Sequence, residues 1–186
     1  MSWPNREEAL ILLREFTKNE NLLKHALAVE AAMRGYASYF GEDPEKWGVT
    51  GLLHDFDYEK YPTLEDHPFR GAEILREKGY SEEMIQAILA HGDHTGVKRE
   101  NLLSKTLYAV DELSGLIVAV ALVRPSRSLA EVKVKSIMKK WKDKAFARGV
   151  DRASIEQGAS EMGVELREHI EKVLSSMKKI SDELGL

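Results

Sequence analysis

The chain of 186 residues contains no cysteine. That absence excludes disulfides, thiolate nucleophiles, iron–sulfur clusters and cysteine-ligated zinc together, so any metal must be held by histidine and carboxylate. Proline and glycine are sparse, at five and 13 residues, and no Ser/Gly tract is present to serve as a long flexible linker. At ~100–200 residues per domain, this length predicts a single domain over residues 1–186. Long hydrophobic runs are missing too. The longest, Leu116 to Val123, is eight residues, far short of the ~20 that a membrane-spanning helix needs. The N-terminal stretch MSWPNREEAL is polar and carries two adjacent glutamates, which does not suit a secretory signal. These features predict a cytoplasmic protein with no membrane partner. Nor does one sign of charge dominate: 27 Lys+Arg against 31 Asp+Glu leave a net charge of −4. Such a balance argues against a protein that coats duplex nucleic acid.

What the chain has in quantity is helical period. Ala9, Leu10, Leu12, Leu13 and Phe16 share one face over residues 6–16. The pattern repeats over 21–40 and stops at Gly41. Asp43-Pro44-Glu45 supplies an N-cap, a first-turn proline and an acidic first turn for a helix that ends near Leu53. Residues 56–66 have no period and read as a loop. Further helices are expected over 67–78, from Ser81 to His91, and from Leu102 to Val123, where Pro125 follows. Ser128 is expected to cap a basic helix over 129–147, Asp151 to cap another, and residues 164–183 to form the last. With no strand-period stretch and no Gly-rich phosphate loop, the chain reads as an all-α bundle.

Five of the six histidines lie within residues 25–94: His25, His54, His67, His91 and His94. The sixth, His169, sits in the polar run REHIEK and reads as part of a solvated face. His25 lies among Leu22, Leu23, Ala26 and Val29. The doublet His54-Asp55 follows Leu52-Leu53, and Asp111 interrupts a nearly continuous apolar helix. Singly, each has a plain alternative: a satisfied core histidine for His25, an exposed patch with Glu112 for Asp111, a helix N-terminal residue for His67. Jointly, imidazoles and carboxylates in apolar helical surroundings must be paired or metal-bound to offset their desolvation.

The order His25…His54-Asp55…Asp111 resembles the HD-domain superfamily of metal-dependent phosphohydrolases. The run from Asp66-His67-Pro68 through Gly71-Ala72 to Ile74-Leu75, and then Ile88-Leu89-Ala90-His91, is similar to the helices of its HDIG and HD-GYP branches. The wider pattern, through VDELSG and RPS, resembles a bacterial subgroup of predicted HD-superfamily hydrolases. The resemblance spans about residues 20–125 and implies an HD-domain helical bundle with extra C-terminal helices over 126–186. It implies that His25, His54, Asp55 and Asp111 hold one divalent transition metal (Fe, Mn, Zn, Co or Ni). It further implies that His67 and His91 hold a second, with Asp55 bridging. Two departures stand out. Phe56-Asp57-Tyr58 replaces the Ile-Gly-Lys of those branches, and His91-Gly92-Asp93-His94 replaces two adjacent histidines, which leaves ligation by Asp93 or His94 open.

The implied activity is phosphohydrolysis of a small anionic phosphorylated metabolite or nucleotide. A bound cation lowers the pKa of a water so that hydroxide forms near neutral pH, and it polarises a phosphoryl oxygen. Asp55 and Asp57 are the candidate catalytic carboxylates, with Asp57 read either as orienting the water or as capping its loop. His94, Lys135, Lys139 and Lys142 are the candidate substrate contacts. The lysines belong to the segment Arg124–Arg148, where nine basic residues meet two acidic ones, a net +7 in a chain whose remainder is −11. That segment reads either as a solvated helix face or as a positive wall of the cleft. A di-iron oxygenase of the same fold and a non-enzymatic ligand-sensing module are the competing functions. The complete ligand set argues against the latter.

Overall fold

The structure, a computed structural model, describes residues 2–186. Ten α-helices follow one another: α1 (Arg6–Phe16), α2 (Glu20–Phe40), α3 (Pro44–Leu53), α4 (Phe69–Glu77), α5 (Glu82–Ala90), α6 (Leu102–Leu122), α7 (Val134–Trp141), α8 (Arg152–Met162), α9 (Leu166–Lys178) and α10 (Ser181–Leu184). Two 3-10 turns, Asp93–Thr95 and Leu129–Glu131, interrupt the series. Among the described residues there is no β-strand, only one isolated bridge between Ser2 and Tyr80. The expected all-α class is the one adopted.

The early boundaries fall where the cap residues lie. Asn5 accepts from the Glu8 amide while the Glu8 carboxylate accepts from the Asn5 amide, closing a capping box on α1. Asp43 accepts from the amides of Glu45 and Lys46 ahead of α3. α2 and α3 approach very closely. At Gly51 a Cβ would stand 2.8 Å from Met33 Cγ and 3.0 Å from the Val29 carbonyl oxygen, so this contact admits only glycine. It draws the end of α3, with His54 and Asp55, against α2, whose His25 lies one turn before Val29. α6 is the central helix. Its Leu107, Val110, Leu113, Leu116 and Ile117 are wholly buried, covered by α2, α5, α8 and α9. A helix apolar around most of its circumference must be surrounded, so the segment beyond residue 125 completes the bundle. Ile155, Ile170, Val173 and Met177 carry that cover.

The structure corrects several sequence expectations. The basic helix expected over 129–147 is only α7, Val134–Trp141, and Ser128 caps the short 3-10 turn instead, accepting from the Ala130 amide. The last helix divides between Lys178 and Ser181 into α9 and α10. Residues 67 and 68 precede α4 and are joined by a cis peptide bond. His169, expected on a solvated face, is fully buried. The polar neighbours that suggested exposure lie on the outer face of α9, while Ile170, Val173, Leu174 and Met177 face the core with it. Among the described residues, no helix is long and apolar enough to cross a membrane.

Candidate metal centre

Six side chains from separate parts of the fold converge at one end of α3. His25 comes from α2, His54 caps the C-terminus of α3 with Asp55 behind it, His67 precedes α4, His91 caps α5, and Asp111 comes from the middle of α6. They form two sets that share a residue. His25, His54, Asp55 and Asp111 bring one donor atom each within 4.8 Å of all the others, and so do Asp55, His67 and His91.

Asp55 divides its carboxylate between them. Its Oδ2 lies 3.3 Å from His54 Nε2 and 3.9 Å from His25 Nε2, while its Oδ1 lies 3.2 Å from both His67 Nε2 and His91 Nε2. Asp111 Oδ1 stands 2.9 Å from His25 Nε2 and 3.4 Å from His54 Nε2. A cation with donors at ~2.1 Å separates them by about 3.0 Å at right angles and about 3.4 Å at tetrahedral angles. Most of these spacings are therefore those of a coordination shell. The bare side chains leave two atoms unsatisfied: His54 Nε2 and Asp55 Oδ1 are buried with no hydrogen-bond partner. Such atoms are costly unless something occupies the point they face.

The imidazoles are held from behind. His54 Nδ1–H donates to the Gly51 carbonyl at 2.7 Å, and His91 Nδ1–H donates to the Ile88 carbonyl. A carbonyl can only accept, so each Nδ1 carries a proton and each Nε2 faces the centre, where the neutral ring offers a lone pair. Both are helix C-cap residues whose rings reach back three positions to a last-turn carbonyl that their own backbone N–H also meets, at 3.5 and 3.4 Å. His67 Nδ1–H donates to Asp57 Oδ1 at 2.8 Å. Asp57 Oδ2 accepts from the Gly71 amide, also at 2.8 Å, and a Cβ at Gly71 would strike that carboxylate. Asp57 is wholly buried. Expected to orient a water or cap its loop, it instead ties His67 to the start of α4, as carboxylates behind ligating histidines do.

Charge follows the same plan. Burial pulls the His54 pKa down, but the Asp55 and Asp111 carboxylates overcome it and raise it well above 6.5. Burial pushes Asp55 up, yet His54, His67 and His91 hold it well below the usual carboxylate range. Asp111 is likewise depressed against its burial, by His54 and His25. Against burial, the adjacent Asp55 and Asp57 carboxylates lift His67 to about 9. Two carboxylates thus hold positive charge in a confined space, by protonated imidazole or by a cation. The donor set of nitrogen and oxygen, without sulfur, suits Fe, Mn, Zn, Co or Ni. The side chains of His25, Asp55 and Asp111 keep about a fifth of their surface exposed while His54 keeps none, so the centre opens toward solvent on the α2–α6 side.

Of the remaining expected residues, His94 stands at the rim, its Nε2 donating to the His67 carbonyl at 2.9 Å. Asp93 is turned away toward Arg99 and Tyr108. Lys135, Lys139 and Lys142 are not brought to the centre. Lys139 and Lys140 line a separate cavity with Val120, Val123, Arg124 and Ser136. Val120 lies nine residues past Asp111, about two and a half turns, and so on the opposite face of α6. Sequence reading missed the carbonyls of Gly51 and Ile88 that orient two ligands. The signal was a histidine at the last position of a helix.

A helical bundle with a shared-carboxylate His/Asp centre defines a class of metal-binding domain. The family model described as HD domain matches residues 22–119, and the chain belongs to that family. Among curated proteins it is similar to Ribonuclease Y of Geobacter sulfurreducens, 28% identical over 168 residues covering 89% of this chain and 29% of that protein. It is also similar to Ribonuclease Y of Oleidesulfovibrio alaskensis, 32% identical over 98 residues, and of Thermosipho melanesiensis, 36% over 97 residues. These two alignments cover 52% and 51% of this chain and 18% of each relative. The chain thus spans less than a third of the length of these relatives. No solved structure gives a significant match.

Proposed function

We propose that the chain is a metal-dependent phosphoester hydrolase acting on a small phosphorylated metabolite or nucleotide. The observation that carries this reading is the division of the Asp55 carboxylate between two convergent donor sets. When bound, a metal pair of this kind polarises a phosphoryl oxygen and acidifies a water. The residues supply the rest. His25, Asp55 and Asp111 form the open side through which a phosphate enters, and buried His54 fixes the depth of the centre. Asp57 keeps His67 in the tautomer that offers Nε2 inward. The name Ribonuclease Y of the relatives supports phosphodiesters as a bond type to be tested. Because the matched part is a small share of those proteins, RNA enters as a candidate substrate beside free nucleotides.

The test is metal analysis of protein purified without chelator, joined to hydrolysis assays on phosphomonoesters, nucleotides and short RNA, in air and anaerobically. The expected result is bound transition metal and phosphate release that does not depend on oxygen. Both should be abolished in the His54→Ala/Asp55→Ala double variant. Metal retained by that variant overturns the ligand assignment. Turnover that requires oxygen replaces hydrolysis with oxygenase chemistry, and metal binding without turnover leaves a sensing module.

A further inference from the structure

Glycine 115 lies inside α6, one turn beyond Asp111 on the same face. Mid-helix glycine is destabilising relative to alanine, and it is usually excused by a close neighbour. Here there is none: a Cβ at Gly115 meets nothing within 4 Å. The space it fronts is a cavity of about 270 Å³ that reaches His25. Its wall is aliphatic, made of Val118, Leu122, Leu184 and Leu186. Two polar groups from α2 complete the lining, Asn21 and Lys24. Lys24 is half-buried and has no carboxylate partner among the described residues.

We propose that this cavity receives the base-bearing part of a nucleoside phosphate, with Gly115 kept bare to admit the ring and Lys24 facing the phosphate. The proposal rests on the phosphoester-hydrolase reading and names its substrate class. The volume lies just under the ~300 Å³ at which pockets for drug-sized ligands begin, room for one nucleotide unit and not for a folded polymer. A sugar phosphate would press hydroxyls against four aliphatic side chains and lose their hydrogen bonds to water without replacement. A nucleobase has apolar faces to lie on that wall and keeps its heteroatoms at the edge. There the Asn21 amide offers both a donor and an acceptor. An unpaired ammonium in the cavity that reaches His25 complements the ester's negative charge. A free nucleotide and the terminal residue of an RNA share this chemistry.

The experiment is calorimetric titration of the metal-loaded protein with adenosine 5′-monophosphate, ribose 5-phosphate and a short 5′-phosphorylated oligoadenylate, with hydrolysis of the same probes measured in parallel. The nucleotide should bind at least ten-fold more tightly than the sugar phosphate. Gly115→Leu should erase that preference while metal content is unchanged. Lys24→Gln should weaken both phosphates. Gly115→Ala, whose single methyl fits the open space, should raise the melting temperature and weaken the nucleotide two- to five-fold, which covers the case of a leucine variant that does not fold. Oligoadenylate binding as well as the mononucleotide assigns the site to a chain terminus, and weaker binding assigns it to free nucleotides. Equal affinity for nucleotide and sugar phosphate, or a preference that survives both glycine variants, overturns the subsite. A base preference without hydrolysis of any probe upholds the subsite and overturns the hydrolase reading. Hydrolysis without base preference does the reverse.

Discussion

At the scale of single residues, the centre depends on side chains that do not face it. Asp57 fixes His67 from behind and anchors the Gly71 amide with its second oxygen. Partners of this kind are worth roughly 10- to 100-fold in metal affinity. Asp57→Asn should therefore weaken metal at the Asp55–His67–His91 set by about that factor. The His25–His54–Asp55–Asp111 set should keep its metal. Stoichiometry measured against a competing chelator checks it, and an equal loss at both sets would show that Asp57 only supports the fold.

His169 is the second such residue. Its Nε2–H donates to the Ala109 carbonyl at 2.8 Å, so its Nδ1 is bare and accepts from the Tyr36 hydroxyl at 2.6 Å. The ring joins α9 and α2 to α6 two residues before Asp111. Burial pushes its pKa down to about 4, against the Ala109 hydrogen bond. The unfolded chain binds that proton near pH 6.5, so the stabilisation is full above 6.5 and is lost as pH falls toward 4. Its size is on the order of 3 kcal/mol. Urea denaturation of wild type and His169→Gln from pH 7 to 4.5 should show a stability gap that narrows with acid, because the ligand histidines titrate in both proteins and cancel. A gap independent of pH would mean that His169 is protonated in the fold.

At the scale of elements, the capped helices were readable and the basic segment was not. Residues 6–16 and 44–53 carry their signals locally, in an apolar face and in Asp43 with Pro44, and they form the expected helices. The six candidate donors were readable from their apolar helical surroundings and their order along the chain, and the structure brings them together. His169 escaped because its partners are a backbone carbonyl and a tyrosine 60 and 133 positions away. Residues 142–150 escaped for a similar reason. The Asp143 side chain accepts from the amides of Ala145 and Phe146 and turns the chain out of the helix. The Arg152 guanidinium then donates to five carbonyls, those of Lys140, Asp143, Phe146, Ala147 and Val150. One distant side chain thus replaces the helical ladder. Arg152→Gln should cost about 1–3 kcal/mol and raise hydrogen exchange across 140–150 before the rest of the bundle. Unchanged exchange there would mean that the turns hold without the guanidinium.

At the scale of the whole molecule, charge is sorted by face. The +7 segment lies around α7, across α6 from the Asp111 side, while the metal centre opens toward α2. The lysines were expected to wall the cleft. That needed α7 to fold back over Asp111, and it packs instead beside Val120 and Arg124. Neutralising Lys135, Lys139 and Lys142 singly should leave metal content unaltered. For a mononucleotide, kcat/KM and its dependence on ionic strength should stay within about two-fold of wild type, since α7 packs beside Val120 and Arg124 rather than over Asp111. A steeper loss at low salt would return these lysines to the path of the substrate.

The pair His25 and Asp111 is separated by 86 positions in the chain. No early, local fragment contains both, so the first donor set exists only after α2 has met α6. Where that meeting follows the folding transition state, the set is absent from it. A cation held there acts on time more than on assembly: it lengthens the life of the finished bundle by slowing its opening, and leaves the rate at which the bundle first forms almost untouched.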